Sequence, residues 1–152
     1  MTQNLVHLTK VYDLTPLMFS KKVQINAGVK AVHYPVIILN TRFAEEPPKL
    51  LAAFLHEQFH WYLIRNPKKA KAVSARLKKM YPQIKDRAHL IICYLEYEAL
   101  KHFQGPKVSS LIIQDFINKD KIFPWYYREV LKNGYVFKKI LKQYQLVPDQ
   151  LR

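Results

Sequence analysis

The 152-residue chain sets 25 Lys and Arg against 11 Asp and Glu, a formal net charge of +14, with 49% hydrophobic residues and a single cysteine. That length suits one domain with a core of its own, the apolar fraction excludes general disorder, and a lone Cys93 excludes an intramolecular disulfide. No apolar run is long enough to cross a membrane and MTQNLVHLTKVYDLT has neither a basic nor an apolar leader region, so a cytoplasmic chain without span or signal peptide is expected.

Residues 5 to 12, LVHLTKVY, alternate imperfectly and read as a strand or a short helix. In KKVQINAGVKAVHYPVIILNTRF, Asn26-Ala27-Gly28 marks a turn between β-like segments at 22–26 and 29–42, predicting a hairpin in which Pro35 demotes part of the second strand to an edge or bulge. Val36-Ile37-Ile38-Leu39 is apolar on both faces, as in a strand covered on both sides. Glu45-Glu46-Pro47-Pro48 opens a helix that Asn66-Pro67 closes. A basic helix over about 68–80 ends at Pro82. A third helix, about 84–103, carries Ala88, Ile91, Ile92, Leu95 and Ala99 on one face and stops at Gly105-Pro106. VSSLIIQDFINK predicts a short helix, Phe123-Pro124-Trp125 starts another to about 132, and Asn133-Gly134 separates that from GYVFKKILKQYQL.

The expected class is α+β. A hairpin, or a small antiparallel or mixed sheet, packs on a central helix and a mostly helical C-terminal half follows. No repeat or long linker divides the chain, so 1–152 reads as a single domain with 107–152 as a helical cap or support.

The chemistry concentrates in the central helix. His56-Glu57-Gln58-Phe59-His60 is an HExxH pattern inside LLAAFLHEQFHWYLI. Four residues apart on a helix, the two imidazoles point the same way and can share one Zn²⁺, while Glu57 is left as a general base. On the helical wheel Leu50, Leu51, Phe54, Leu55, Gln58, Phe59, Trp61 and Tyr62 cover most of the circumference, whereas His56, Glu57 and His60 share one sector with the small Ala53 a turn earlier. Burying two histidines and a glutamate costs several kcal/mol without partners, and a bound metal resolves that cost. The competing structural reading has both histidines hydrogen-bonded in the core and Glu57 paired with a lysine.

A catalytic zinc takes three protein ligands and keeps its fourth position for water. The residues after His60, WYLIRNPKKA, contain no further histidine, which points to an acidic third ligand among Glu96, Glu98, Asp115, Asp120 and Glu129. Glu96 and Glu98 stand out because they lie in the apolar run HLIICYLEYEAL. They diverge by about 160° around a helix, so one ligand and one salt-bridge partner, with Lys101 or Arg87, is the expected division. His89 shares the Glu96 side and His102 the Glu98 side, each a candidate second-shell partner or transition-state donor, or an ordinary packed or surface histidine. Cys93 reads as core packing first and as a catalytic thiol second.

With these residues the chain resembles the gluzincin branch of the zincin metallopeptidases, over roughly 22–104. In that branch a glutamate on a later helix completes the HExxH site, in several families as ExxA or ExxAD, and Glu96-Tyr97-Glu98-Ala99 matches ExxA. Leu100 departs from the aspartate variant, so a second-shell hydrogen bond to a metal-binding histidine has to come from elsewhere. The resemblance implies one Zn²⁺ per chain, held by His56, His60 and Glu96 with Glu98 in reserve. It also implies an edge strand that pairs with extended peptide substrate, here Val36, Ile37, Ile38, Leu39, Asn40 and Thr41.

The expected function is zinc-dependent hydrolysis of peptide bonds by a metal-activated water with Glu57 as general base. Tyr97, Tyr126 and Tyr127 are candidate oxyanion donors. Two other classes compete: a zincin-like binding protein without catalysis, and a basic nucleic-acid-binding module. The charge of +14 suits acidic proteins or nucleic acid. For PKKAKAVSARLKKMYP, a solvated helix face is the simpler account, because no aromatic residues are interleaved with its cations.

Overall fold

The computed structural model describes residues 8, 10–26, 36–40, 46–119 and 123–152. The chain divides into two compact units, 1–62 and 63–152.

In the first unit, Leu8, Lys10 and Val11 are helical, and Tyr12 N–H donates to the Leu8 carbonyl at 2.9 Å. The described end of LVHLTKVY is thus helical rather than strand. A single 3₁₀ turn follows at Thr15–Leu17, with Leu17 fully buried.

Strands β1 (Val23–Asn26) and β2 (Ile37–Asn40) pair in parallel, Val23 opposite Ile37 through Asn26 opposite Asn40. This corrects the expected hairpin. A tight turn returns the chain antiparallel, whereas a parallel pair needs the chain to travel back along the strand before the second begins. Ala27 and Gly28 of the expected turn, and Pro35, lie outside the described residues, and Asn26 ends β1. Ile37 and Leu39 are fully buried and Val36 and Ile38 half-buried, in keeping with a strand covered on both faces.

Helix α1, Pro47–Arg65, begins and ends where proline dictates. From Leu50 to Tyr62 every residue is buried or half-buried, so the helix lies inside protein almost all round. The buried Gln58 amide fastens it to the preceding chain: Ser20 N–H donates to Oε1 and Nε2 donates to the Ser20 carbonyl, both at 2.7 Å. Phe19 packs its ring 4.8 Å from Tyr62 and 6.2 Å from Phe59.

The second unit is helical. Helix α2, Pro67–Met80, starts on Pro67 and buries only Val73 and Leu77. Helix α3, Ala88–Lys119, is two helices joined at Gly105, whose φ of 77° and ψ of 164° break the ladder where Gly105-Pro106 predicts an end. Ser109 Oγ donates across the break to the carbonyls of Gly105 and Pro106. The helix resumes at once, so VSSLIIQDFINK continues it.

Helix α4, Pro124–Gln143, bends at Asn133, where φ and ψ are −116° and 21°; the break expected at Asn133-Gly134 is a kink. Its end is a Schellman cap: Leu146 N–H donates to the Leu141 carbonyl and Gln145 N–H to that of Lys142, with Gln145 left-handed at φ 52°. The core of this unit joins Leu90, Ile91, Ile92, Leu95 and Ile113 of α3 to Val130, Phe137 and Leu141 of α4. Phe137 stacks with Tyr81 and with Tyr94 at centroid separations of 6.3 and 5.9 Å.

Among the described residues no helix is long and apolar enough to cross a membrane.

Candidate metal centre

Among the described residues, the side chains whose donor atoms could hold a metal ion are His56 and His60 in the first unit, and His89, Cys93 and Glu96 in the second. In the first unit the HExxH segment is fully helical, and the rings of His56 and His60 lie with centroids 5.3 Å apart at 63°. His56 and Glu57 are 7% and 5% exposed, while Ala53 and His60, one turn to either side, are only half-buried. The sector that carries the chemistry is therefore also the one that water can approach.

In the second unit His89, Cys93 and Glu96 stand at i, i+4 and i+7 on α3 and form one stripe. Cys93 and Glu96 are fully buried. The Tyr127 hydroxyl donates to both Glu96 carboxylate oxygens, at 3.1 and 2.9 Å. His89 Nδ1 lies 2.6 Å from Asp86 Oδ2, and its ring packs on Phe123 at 4.9 Å and Tyr126 at 5.7 Å. In the tautomer whose Nδ1–H faces the carboxylate, Nε2 carries the lone pair, the orientation a metal-ligating histidine needs.

Glu98 is placed differently. It forms an ion pair with Lys101 on the half-exposed flank of α3 and is absent from the ligand-capable stripe among the described residues. His102 is exposed, with its ring edge-on to Phe103.

The three tyrosines separate equally clearly. Tyr97 Oη is 3.2 Å from Ser110 Oγ and its ring lies under Lys101. Tyr127 is committed to Glu96. Tyr126 lies beside His89, and burial, then the charges of Asp86 and Cys93, push its phenol pKa up, so it stays a protonated donor at neutral pH.

Of the segment expected to pair with a peptide, Ile37–Asn40 is strand β2, and among the described residues β2 pairs with β1 alone. Thr41 lies outside the described residues. Two features were missed from the sequence: the Asp86–His89 pair, and Cys93 as a member of the Glu96 stripe. Both have helical spacing, i to i+3 and i to i+4 to i+7, and that periodicity was the available signal.

No family model, curated protein or solved structure matches this chain. The likeness to gluzincins rests on the two motifs.

Proposed function

We propose that the chain is a zinc-dependent peptidase in which His56, His60 and Glu96 hold the metal and Glu57 is the general base. The observation that carries this reading is the pair of adjacent rings of His56 and His60 on one side of a buried helix, with the buried Glu57 next to His56 in the chain. The donor set is right for the ion: two imidazoles and a carboxylate are a catalytic zinc set, and each is a good ligand at neutral pH.

A zinc ion held by His56, His60 and Glu96 would supply Lewis-acid polarisation and lower the pKa of a water. Glu57 would accept the proton of the attacking water and deliver it to the leaving amine. The Tyr127 hydroxyl holds the Glu96 carboxylate in one orientation. Tyr126, kept neutral, suits donation to the developing oxyanion. Strand β2 supplies backbone groups for an extended peptide.

A second reading of the ligand set is favoured by the 2.6 Å contact of Asp86 with His89, which prepares His89 Nε2 to take the place of Glu96. Zinc content and peptidase activity of wild type, Glu57→Gln, Glu96→Ala and His89→Ala separate these arrangements. Glu57→Gln keeps zinc and loses activity. Zinc is lost in Glu96→Ala on the first reading and in His89→Ala on the second. Wild type that neither contains nor takes up zinc overturns both.

A further inference from the structure

Helix α4 has two sides of opposite character. Its inner side is taken up by packing: Phe137 stacks with Tyr81 and Tyr94, and Glu129 accepts from the Tyr81 hydroxyl and the Asn133 amide. Between Arg128 and Lys142 the exposed residues recur at helical spacing, and the pattern continues across the bend at Asn133. They are five cations, Arg128, Lys132, Lys138, Lys139 and Lys142, with Leu131 and Tyr135 between them and no acidic residue. On a helical wheel the whole set falls within about 120°, while Phe137 lies about 160° from Tyr135.

The two apolar side chains are there for something other than the core. Leu131 is 40% exposed and Tyr135, one turn later, 79%. They sit near the middle of a face about 21 Å long, from Arg128 to Lys142. The occupant of this face must take positive charge along its length and two apolar tips at its centre. A second copy of the chain brings the same cations and is repelled. Protein interfaces are depleted of lysine, and this face has four, Lys132, Lys138, Lys139 and Lys142. A nucleic-acid strand would neutralise the cations but leave Leu131 without a role, because bases stack on rings. An anionic bilayer uses all of them: tyrosine suits the headgroup level, leucine reaches the acyl boundary, and lysine stems lie along apolar surface while their ammonium groups stay among phosphates.

We infer that this face of α4 lies on anionic lipid bilayers, in the plane of the interface, with Leu131 and Tyr135 inserted at headgroup depth and the cations among the lipid phosphates. Such attachment needs no helix that crosses the membrane, and among the described residues there is none.

The test is co-sedimentation of the full chain with vesicles of phosphatidylcholine alone and of phosphatidylcholine mixed with phosphatidylserine. Wild type should bind the mixed vesicles and not the neutral ones, and should be released as salt rises. Each cation near the surface contributes about fivefold, so Lys138→Ala/Lys139→Ala should weaken partitioning about 10- to 30-fold. Lys71→Ala/Lys78→Ala removes the same charge from exposed positions on α2, the helix whose capping residue Tyr81 packs on the inner side of α4, and should change partitioning less than about threefold. Leu131→Ala/Tyr135→Ala should weaken it about fivefold or more with the salt dependence unchanged. Tyr135→Trp should keep binding, and its added indole emission should move to shorter wavelength on the mixed vesicles. All the substituted side chains are exposed, so none of these changes empties the core. The inference is overturned if wild type ignores the mixed vesicles, if the two lysine pairs lose equally, if Leu131→Ala/Tyr135→Ala binds as wild type does, if the added indole emission does not move, or if oligo(dT) at matched phosphate concentration strips wild type from the vesicles.

Discussion

One phenol bridges one carboxylate: the Tyr127 hydroxyl sits 3.1 and 2.9 Å from the two oxygens of Glu96, and both residues are buried. The phenol O–H fixes the plane of a group that could otherwise rotate about its last bond. Outer partners of metal ligands typically contribute about 10- to 100-fold in affinity. If Glu96 is a ligand, Tyr127→Phe should weaken zinc binding by about that factor, measured by competition with a chromophoric chelator. Glu57→Gln should leave the affinity unchanged. Tight binding retained in Tyr127→Phe would exclude Glu96 and leave His89 as the third ligand.

Gln58 lies within the HExxH pattern but its task is structural. Its amide satisfies both the N–H and the carbonyl of Ser20 in a buried position. Leucine has a similar size and neither donates nor accepts, so Gln58→Leu strands two backbone groups at about 1–3 kcal/mol each. The denaturant midpoint should fall accordingly, by about 2–6 kcal/mol in stability. Gln58→Glu sets a carboxylate against the Ser20 carbonyl in a fully buried site, so it should also be destabilising at neutral pH and recover in part at acid pH, where the protonated carboxyl can donate. Equal midpoints for wild type and Gln58→Leu would show that the pair is not formed in solution.

The sequence made the helices and the first half of the candidate site legible, because both depend on local pattern. Prolines 47 and 67 set the start of α1 and of α2, and the apolar wheel of α1 put His56, Glu57 and His60 together. The ExxA match and the apolar surroundings distinguished Glu96, which the structure buries beside Tyr127, while Glu98 turns to Lys101. What sequence order could not convey was direction and distance. Asn26-Ala27-Gly28 has the composition of a hairpin turn, yet β1 and β2 run parallel, because strand direction depends on how far the chain travels before it pairs. Tyr127 is 31 residues from Glu96, and no local pattern links them.

Two left-handed residues in the second unit make opposite predictions. Gly105, at φ 77°, joins the halves of α3, and a Cβ there would meet nothing within 4 Å. Gly105→Ala is therefore costly through its backbone alone, by about 1–3 kcal/mol, because φ 77° with ψ 164° is a conformation essentially reserved to glycine. Gln145, at φ 52°, already bears that cost at the cap of α4. Gln145→Gly should raise stability by up to about 1 kcal/mol, with the gain reduced by the greater freedom of glycine in the unfolded chain. Thermal melts of the two variants should shift in opposite directions, and a shift of Gln145→Gly below wild type would rule out the relief of strain.

Tyr81 provides a prediction at alkaline pH. Burial, then the hydrogen bond and charge of Glu129, push its phenol from 10.0 up to about 12, against a smaller lowering by Asn133. Burial also raises the phenols of Tyr94, with help from Glu98, and of Tyr126. A raised acid holds its proton more tightly in the folded chain than in the unfolded one. Its contribution is fully present below the unfolded pKa near 10 and is lost as pH rises through the folded value near 12. Urea midpoints should consequently decline between pH 10 and 12 on this account. Tyr81→Phe loses the contact at 3.1 Å with Glu129 and so starts lower, but its decline across that interval should be shallower. An unchanged slope in Tyr81→Phe would assign the alkaline loss to other groups, and ultraviolet titration of phenolate, which should show one fewer late-ionising tyrosine in the variant, identifies the residue directly.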